Sequence, residues 1–293
     1  MKVEAECAAC ILSRGSAEAI EATTNPAFRF RAMSELLRLL TKEFRPSAVP
    51  ADLGTKRDRL IKRITGNNDP YKRGKRISNE KALKVLPYAR KLVEEGYAQQ
   101  DRFKRACLCA IVGNIMEFDI PGHRFTFNGL RKGFRDAGKD LVIDDTGRIY
   151  ELVKEARTVL YLADNAGEIV FDTLLVEQLR NMGIAVVVSV KGGPVINDAT
   201  LEDAEVSGMS KIADKTITTG TDAVGLSLDE VSGDFLNVYN TVDIVFAKGM
   251  GYAETLTEYK LKKPHALLFR TKCNPVANFF GVAKEKNVAR LMP

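Results

Sequence analysis

Three short apolar runs in this chain each break into a loop of Gly, Asp, Asn or Lys and then into helical periodicity. They read TVLYLADNAGE (158–168), AVVVSVKGGPVINDAT (185–200) and VDIVFAKGMGYAET (242–255). A β-branched run closed by such residues and followed by a helix is a strand–loop–helix unit. The runs are apolar at successive positions, as strands buried on both faces of a parallel sheet require. Ligands of parallel α/β sheets sit beyond the carboxyl ends of the strands. The three loops are therefore expected to meet at one site.

The rest of the chain supports that frame. Strands are expected at 158–163, 184–190, 215–219, 242–247 and 265–272, with helices at 168–182, 201–208, 228–240 and 252–260. Thr200 is read as the cap of the second of these helices and Ser227 as the cap of the third. Such alternation means a parallel sheet with right-handed crossovers. Residues 1–157 read as helical instead. Asn25-Pro26 opens a helix over 28–44, Ser78 or Asn79 caps the next, and Pro87 is expected to kink or split that one. A third helix spans 100–118, with shorter ones near 125–134 and over 148–156. The expected architecture is an α/β/α Rossmann-like parallel-sheet domain (158–293) preceded by a helical, substrate-covering domain (1–157).

Charge differs between the halves. Residues 1–150 hold 29 Lys and Arg against 19 Asp and Glu, a net +10, while the remainder is −4. The excess is densest in TKRDRLIKRITGNNDPYKRGKR (55–76). It is read as a solvated face or as a rim that steers anionic metabolites. Nucleic acid is not favoured, because Tyr71 is its one aromatic and no stacking platform exists. No run approaches the ~18–20 apolar residues of a membrane span. The first ten residues lack the apolar core of a signal peptide. A cytoplasmic protein with no membrane partner is expected.

The loops carry the chemistry. Asp164 and Asn165 give one charged and one neutral oxygen, a pair suited to Mg²⁺ or Mn²⁺. Their structural alternative is an Asx turn capping the next helix. Glu168 and Asp172 lie four apart on that helix and either face the site or complement its dipole. In the second loop, Lys191, Gly192 and Gly193 offer an anion nest, followed by Asn197 and Asp198. Asp198 is taken as a third cation ligand, because Thr200 already accounts for the helix cap. In the third loop, Lys248 with Gly249 and Gly251 at a helix start is a phosphate cradle. No GxxxxGK[ST] or GxGxxG pattern is present, so ATP and NAD are not favoured.

At these loops the chain resembles the damage-control phosphatase family, long catalogued only as a domain of unknown function. The motifs are DNAGEIVFD (164–172), KGGPVINDAT (191–200) and KGMGYAET (248–255), with DPYK (69–72), GNIMEFDI (113–120) and KCNPVA (272–277). CAAC (7–10) is similar to the prokaryotic and archaeal branch. The resemblance implies a helical region over an α/β/α domain. It also implies a phosphatase of sugar phosphates or damaged phosphometabolites that uses a divalent cation (Mg²⁺, Mn²⁺, Co²⁺ or Ni²⁺). It implies Asp164, Asn165 and Asp198 as metal ligands and Lys248 as the phosphate contact. Other members often carry Asn after the glycine of the third motif, where this chain has Met250-Gly251-Tyr252.

The expected function is metal-dependent hydrolysis of phosphomonoesters of small metabolites. Asp164, Asn165, Asp198 and Lys248 are catalytic in this reading. Glu168, Lys191, Gly192, Asn197, Gly249, Gly251 and Asn114 line the phosphate and the leaving group. Water activated by the cation is the default nucleophile, with attack by Asp164 left open. The alternatives are a non-catalytic binder of a phosphorylated ligand or nucleic acid, and an adenosylmethionine-dependent carboxyl methyltransferase. The methyltransferase ranks last, because no glycine-rich loop follows the first strand. Cys7, Cys10 and Cys107 are read as a second, thiolate metal site, an ordinary buried set or a redox pair. His123 and His265 are read as structural.

Overall fold

The computed structural model describes residues 1–113 and 127–293. The chain opens with α1 (Ala5–Ala22), α2 (Pro26–Glu43) and α3 (Pro50–Thr65). Asn25 accepts the Ala27 N–H at 2.9 Å with Pro26 behind it, which starts α2 where the sequence signal placed it. α3 ends on Gly66, whose φ of 72° is the left-handed closure that favours glycine. The three helices share a small core of Ile11, Leu36, Leu40, Leu53 and Leu60.

Next come α4 (Lys72–Glu94), α5 (Gln99–Gly113), α6 (Phe127–Asp136), β1 (Leu141–Asp144) and α7 (Thr146–Glu155). The α/β part runs β2 (Thr158–Leu162), α8 (Glu168–Asn181), β3 (Ala185–Val190), α9 (Leu201–Val206), α10 (Met209–Ile212) and β4 (Lys215–Thr218). It continues with α11 (Gly233–Thr241), β5 (Ile244–Lys248), α12 (Gly249–Leu256), β6 (His265–Arg270), α13 (Asn274–Phe280) and β7 (Asn287–Met292).

The seven strands form one sheet ordered β1-β7-β6-β5-β2-β3-β4. Strands β2 to β6 pair in parallel, while β7 runs antiparallel to β6 and carries β1 alongside. Period-2 geometry sends alternate residues of β2 to opposite faces. Val159 and Tyr161 join the core under α4, α5, α7 and α8, and Leu160 and Leu162 join the core under α11, α12 and α13. This is the three-layer α/β/α arrangement expected from the apolar runs. The chain moves outward from β2 through β3 to β4 and then returns to β5 on the other side of β2. That reversal puts a topological switch point at the carboxyl ends of β2 and β5, where such sheets open a crevice.

Several local expectations are corrected. Ser78 and Asn79 do not cap a helix, because α4 begins at Lys72 and carries both within it. Pro87 also lies inside α4 without ending it. The cap before α11 is Ser232 rather than Ser227, its hydroxyl accepting the Phe235 N–H at 3.2 Å. Strands β1 and β7 were not anticipated, and β1 brings the first half of the chain into the sheet. Helices α4, α5 and α7 also bury their apolar faces in the main core, while α1 to α3 stand over the carboxyl edge with cores of their own.

Candidate active site

The loops after β2, β3 and β5 meet. The Ala199 N–H donates to the Asp164 carbonyl at 2.7 Å and the Ala166 N–H to the Asn197 carbonyl at 2.9 Å. Between these bonds Asn165 and Asp198 face each other across an antiparallel bridge. The third loop closes in through Gly249, whose φ is 78° and whose missing side chain leaves room for the Asp164 carboxylate. Asp164, Asn165, Asn197, Asp198, Met250 and Gly251 line a cavity of about 230 Å³, walled on its far side by α1 and α3.

Asn165 donates its amide N–H groups to Asp164 Oδ2 at 2.7 Å and to Glu168 Oε2 at 3.1 Å. Its carbonyl oxygen is therefore the end available to a cation. Burial pushes the Asp164 carboxyl well above the ordinary range, and the charges of Glu168 and Asp198 push it further, against Lys272 and Lys191. Burial likewise raises Asp198 to about 6, with Lys191 opposing. Asp198 Oδ2 is buried without a hydrogen-bond partner, and the Lys191 ammonium lies 3.5 Å from it. Lys191 offsets part of the cost of that buried charge as an ion pair, and a divalent cation in the cavity would offset more.

These features fit a hard divalent ion. Two repelling carboxylates and one amide oxygen converge on a cavity, and one carboxylate oxygen has no donor. Among the described residues, no three His, Cys, Asp or Glu side chains form a metal cluster. A set of two carboxylates and one amide suits Mg²⁺-like ions, which keep several waters of their own.

The structure turns other predicted residues away from the cavity. Lys248 is buried and donates to Glu168 Oε1 at 2.5 Å, Asp172 Oδ1 at 2.8 Å and the Ala110 carbonyl at 2.8 Å. Its three protons all have internal acceptors, so direct phosphate contact by Lys248 is not what this geometry provides. Burial disfavours its charge, but Asp172 and Glu168 outweigh that and hold its pKa above the ordinary value. Glu168 links Lys248 to Asn165 and so stands behind the cavity wall. Lys191 donates to the Gly225 carbonyl at 2.6 Å beneath the site, over the Tyr252 ring. The Gly192 N–H donates to the Thr221 carbonyl at 2.9 Å and cannot join an anion nest. Asn114 and His123 lie outside the described residues.

Cys107 does not join Cys7 and Cys10. It faces the sheet core from α5, where burial pushes its thiol above the ordinary range. Cys7 and Cys10 line the cavity together with Cys273. The basic stretch 55–76 is in part a solvated face, with Lys56, Arg63, Lys72, Arg73 and Arg76 exposed, and in part held in internal pairs. Arg57 pairs with Glu18, Arg59 with Asp222 and Glu230, Lys62 with Asp58, and Lys75 with Asp69.

Lys272 and Arg14 are among the cavity residues that were missed. Lys272 follows β6, and its charge lowers the Asp164 pKa. The rule that located the other loops, ligands at strand carboxyl ends, applies equally to it. Arg14 reaches the cavity from α1, and no local sequence signal marks it.

A parallel sheet with a crevice at its switch point, roofed by helices, is a Rossmann-like α/β architecture. The chain matches the model of the Damage-control phosphatase ARMT1-like domain over residues 3–288, and it belongs to that family. It is 36% identical to a damage-control phosphatase of Archaeoglobus fulgidus over 293 residues, covering 100% of both chains. It is 36% identical to the damage-control phosphatase PH1575 of Pyrococcus horikoshii over 286 residues, covering 97% of this chain and 96% of that one. An uncharacterized protein, MJ0202 of Methanocaldococcus jannaschii, is 37% identical over 98% of this chain and 95% of its own. The crystal structure of the Pyrococcus protein, described as a DUF89 family protein, superposes with a TM-score of 0.88 at 35% identity, covering 99% and 98% of the two chains.

Proposed function

We propose that this chain is a divalent-metal-dependent phosphomonoesterase of small metabolites, such as sugar phosphates or damaged phosphometabolites. The observation that carries the reading is the pairing of Asp164 with Asp198 at one cavity, with Asp198 Oδ2 lacking a donor. Asp164, Asn165 and Asp198 would hold the ion. When bound, Mg²⁺, Mn²⁺, Co²⁺ or Ni²⁺ supplies Lewis-acid polarisation of a phosphoryl oxygen and neutralises developing charge.

The chain's own groups do the rest. Lys272, Met250 and Gly251 line the same cavity, and the last two lie in the first turn of α12. The amides at a helix start have no intrahelical acceptor and favour anions. They would stabilise charge on the equatorial phosphoryl oxygens. Helices α1 and α3 exclude bulk water and present Arg14 to the leaving group. Among the described residues no helix is long and apolar enough to cross a membrane. A cytoplasmic location and a metabolite partner belong to the same proposal.

The test is hydrolysis of p-nitrophenyl phosphate and of a phosphometabolite panel with each of the four ions. Asp198→Ala should keep the fold and lose the metal-dependent rate. Undiminished turnover in that variant would overturn the ligand assignment.

A further inference from the structure

We propose that Asp58, on α3, is a positioning residue for the cation ligand Asp198, acting through the backbone of Ile196. The proposal rests on the metal-site reading above. Ile196 has a φ of 45°. A β-branched residue rarely adopts the left-handed region, because its side chain crowds the backbone there. Such a conformation persists only where surrounding contacts impose it. Ile196 precedes Asn197 and Asp198 and lines the same cavity.

The imposing contacts come from α3. Asp58 Oδ1 accepts the Ile196 N–H at 3.0 Å, and Asp58 is fully buried. One helical turn later, Lys62 donates to the Pro194 carbonyl at 2.6 Å and pairs with Asp58 Oδ2 at 2.7 Å. The two side chains thus grip the loop on either side of Val195, through a carbonyl before it and an amide after it. The Asp198 N–H then closes onto the Val195 carbonyl at 3.0 Å. The heading of Asp198 is set by the dihedrals at Ile196, and those are held by Asp58. A helix outside the sheet therefore sets the aim of a ligand at its edge.

The experiment is Mn²⁺ titration of the apo-protein by calorimetry, for the wild type, Asp58→Ala, Ile196→Gly and the double variant. Glycine adopts a φ of this sign without steric cost. If Asp58 works by holding Ile196 in place, Asp58→Ala weakens Mn²⁺ binding about tenfold beside Ile196 but less than about threefold beside glycine. An equal loss in both backgrounds would show a merely structural Asp58 and overturn the proposal. No Mn²⁺ binding by the wild type would instead overturn the metal-site reading beneath it. Should Asp58→Ala fail to fold, adding Ile196→Gly is expected to restore a cooperative melt, and no restoration would also overturn it.

Discussion

A Cβ added to Gly249 would fall 1.8 Å from Asp164 Oδ2, so these two residues can coexist only while position 249 has no side chain. The φ of 78° at Gly249 adds a second reason for glycine. Gly249→Ala should push the Asp164 carboxylate out of place. A displacement on the order of 1 Å at a reacting centre costs about a hundredfold in rate. The expected stability loss is about 1–3 kcal/mol. Gly183→Ala is the control, since Gly183 also has a positive φ, 84°, but nothing within 4 Å of its added Cβ. That variant should lose about 1 kcal/mol and keep its kcat. Steady-state kinetics and thermal melts on both variants check the pair.

Two lysines should separate stability from binding. Removing Lys248 leaves Glu168 and Asp172 buried beside each other without their cation. Lys248→Ala should therefore destabilise the fold by about 3–5 kcal/mol, the usual result of breaking a buried pair from one side. Lys272 lines the cavity and lies beyond the strand. Lys272→Ala should lower the melting temperature far less than Lys248→Ala and raise KM for a phosphomonoester. Equal melting temperatures for the two variants would contradict the roles assigned here.

Backbone runs made the sheet legible, and side-chain direction hid part of the site. β2, β3 and β5 could be read because their residues are largely apolar, and Asp164, Asn165 and Asp198 followed from the strand-end rule. The Thr200 cap was legible for a local reason of its own, a capping side chain just before the helix, while Asp203's part in the capping box was not read. The rest depended on what lies across the fold. Lys248 sits where a phosphate-binding lysine would, but its ammonium turns inward to two carboxylates on α8, which no local pattern announces. Asn79 has the composition of a helix cap, yet it lies inside α4 and accepts the Gly167 N–H at 2.7 Å. β1 and β7 lie at one side of the sheet with mixed polarity, and β1 has only four residues, so neither presents the continuous apolar run that marked the other strands.

His265 gives a pH signature. It is buried on β6, where its Nδ1–H donates to the Lys263 carbonyl at 2.8 Å and its Nε2 accepts from the Tyr239 hydroxyl at 2.9 Å. Burial lowers its pKa from 6.5 to about 4. The unfolded chain therefore binds more protons between those values, and stability falls as pH drops through that window. The contribution is fully present above pH 6.5 and amounts to about 3 kcal/mol at most. Buried carboxylates with raised pKa values act in the opposite sense, so the measurement is a difference. The stability gap between wild type and His265→Gln should shrink as pH falls from 6.5 to about 4 in chemical denaturation. A gap independent of pH would contradict the buried neutral imidazole.

Asp198 should show stability and function pulling apart. Its pKa is raised from 3.8 to about 6 by burial, so the folded state carries a penalty that builds as pH rises through that window and persists above it. Without a cation at neutral pH, Asp198→Asn removes that penalty and should raise the melting temperature, by the equivalent of at most about 3 kcal/mol. With a cation the order reverses. A ligand bound only by the folded state stabilises it by about 2.7 kcal/mol at a hundredfold excess over Kd. Mn²⁺ should therefore raise the wild-type melting temperature and leave Asp198→Asn unmoved, while that variant no longer hydrolyses p-nitrophenyl phosphate. Chelation of the wild type should return it below the variant. If Asp198→Asn melts lower than the metal-free wild type, the carboxylate is held by contacts other than a cation, and the donor set assigned to Asp164, Asn165 and Asp198 fails.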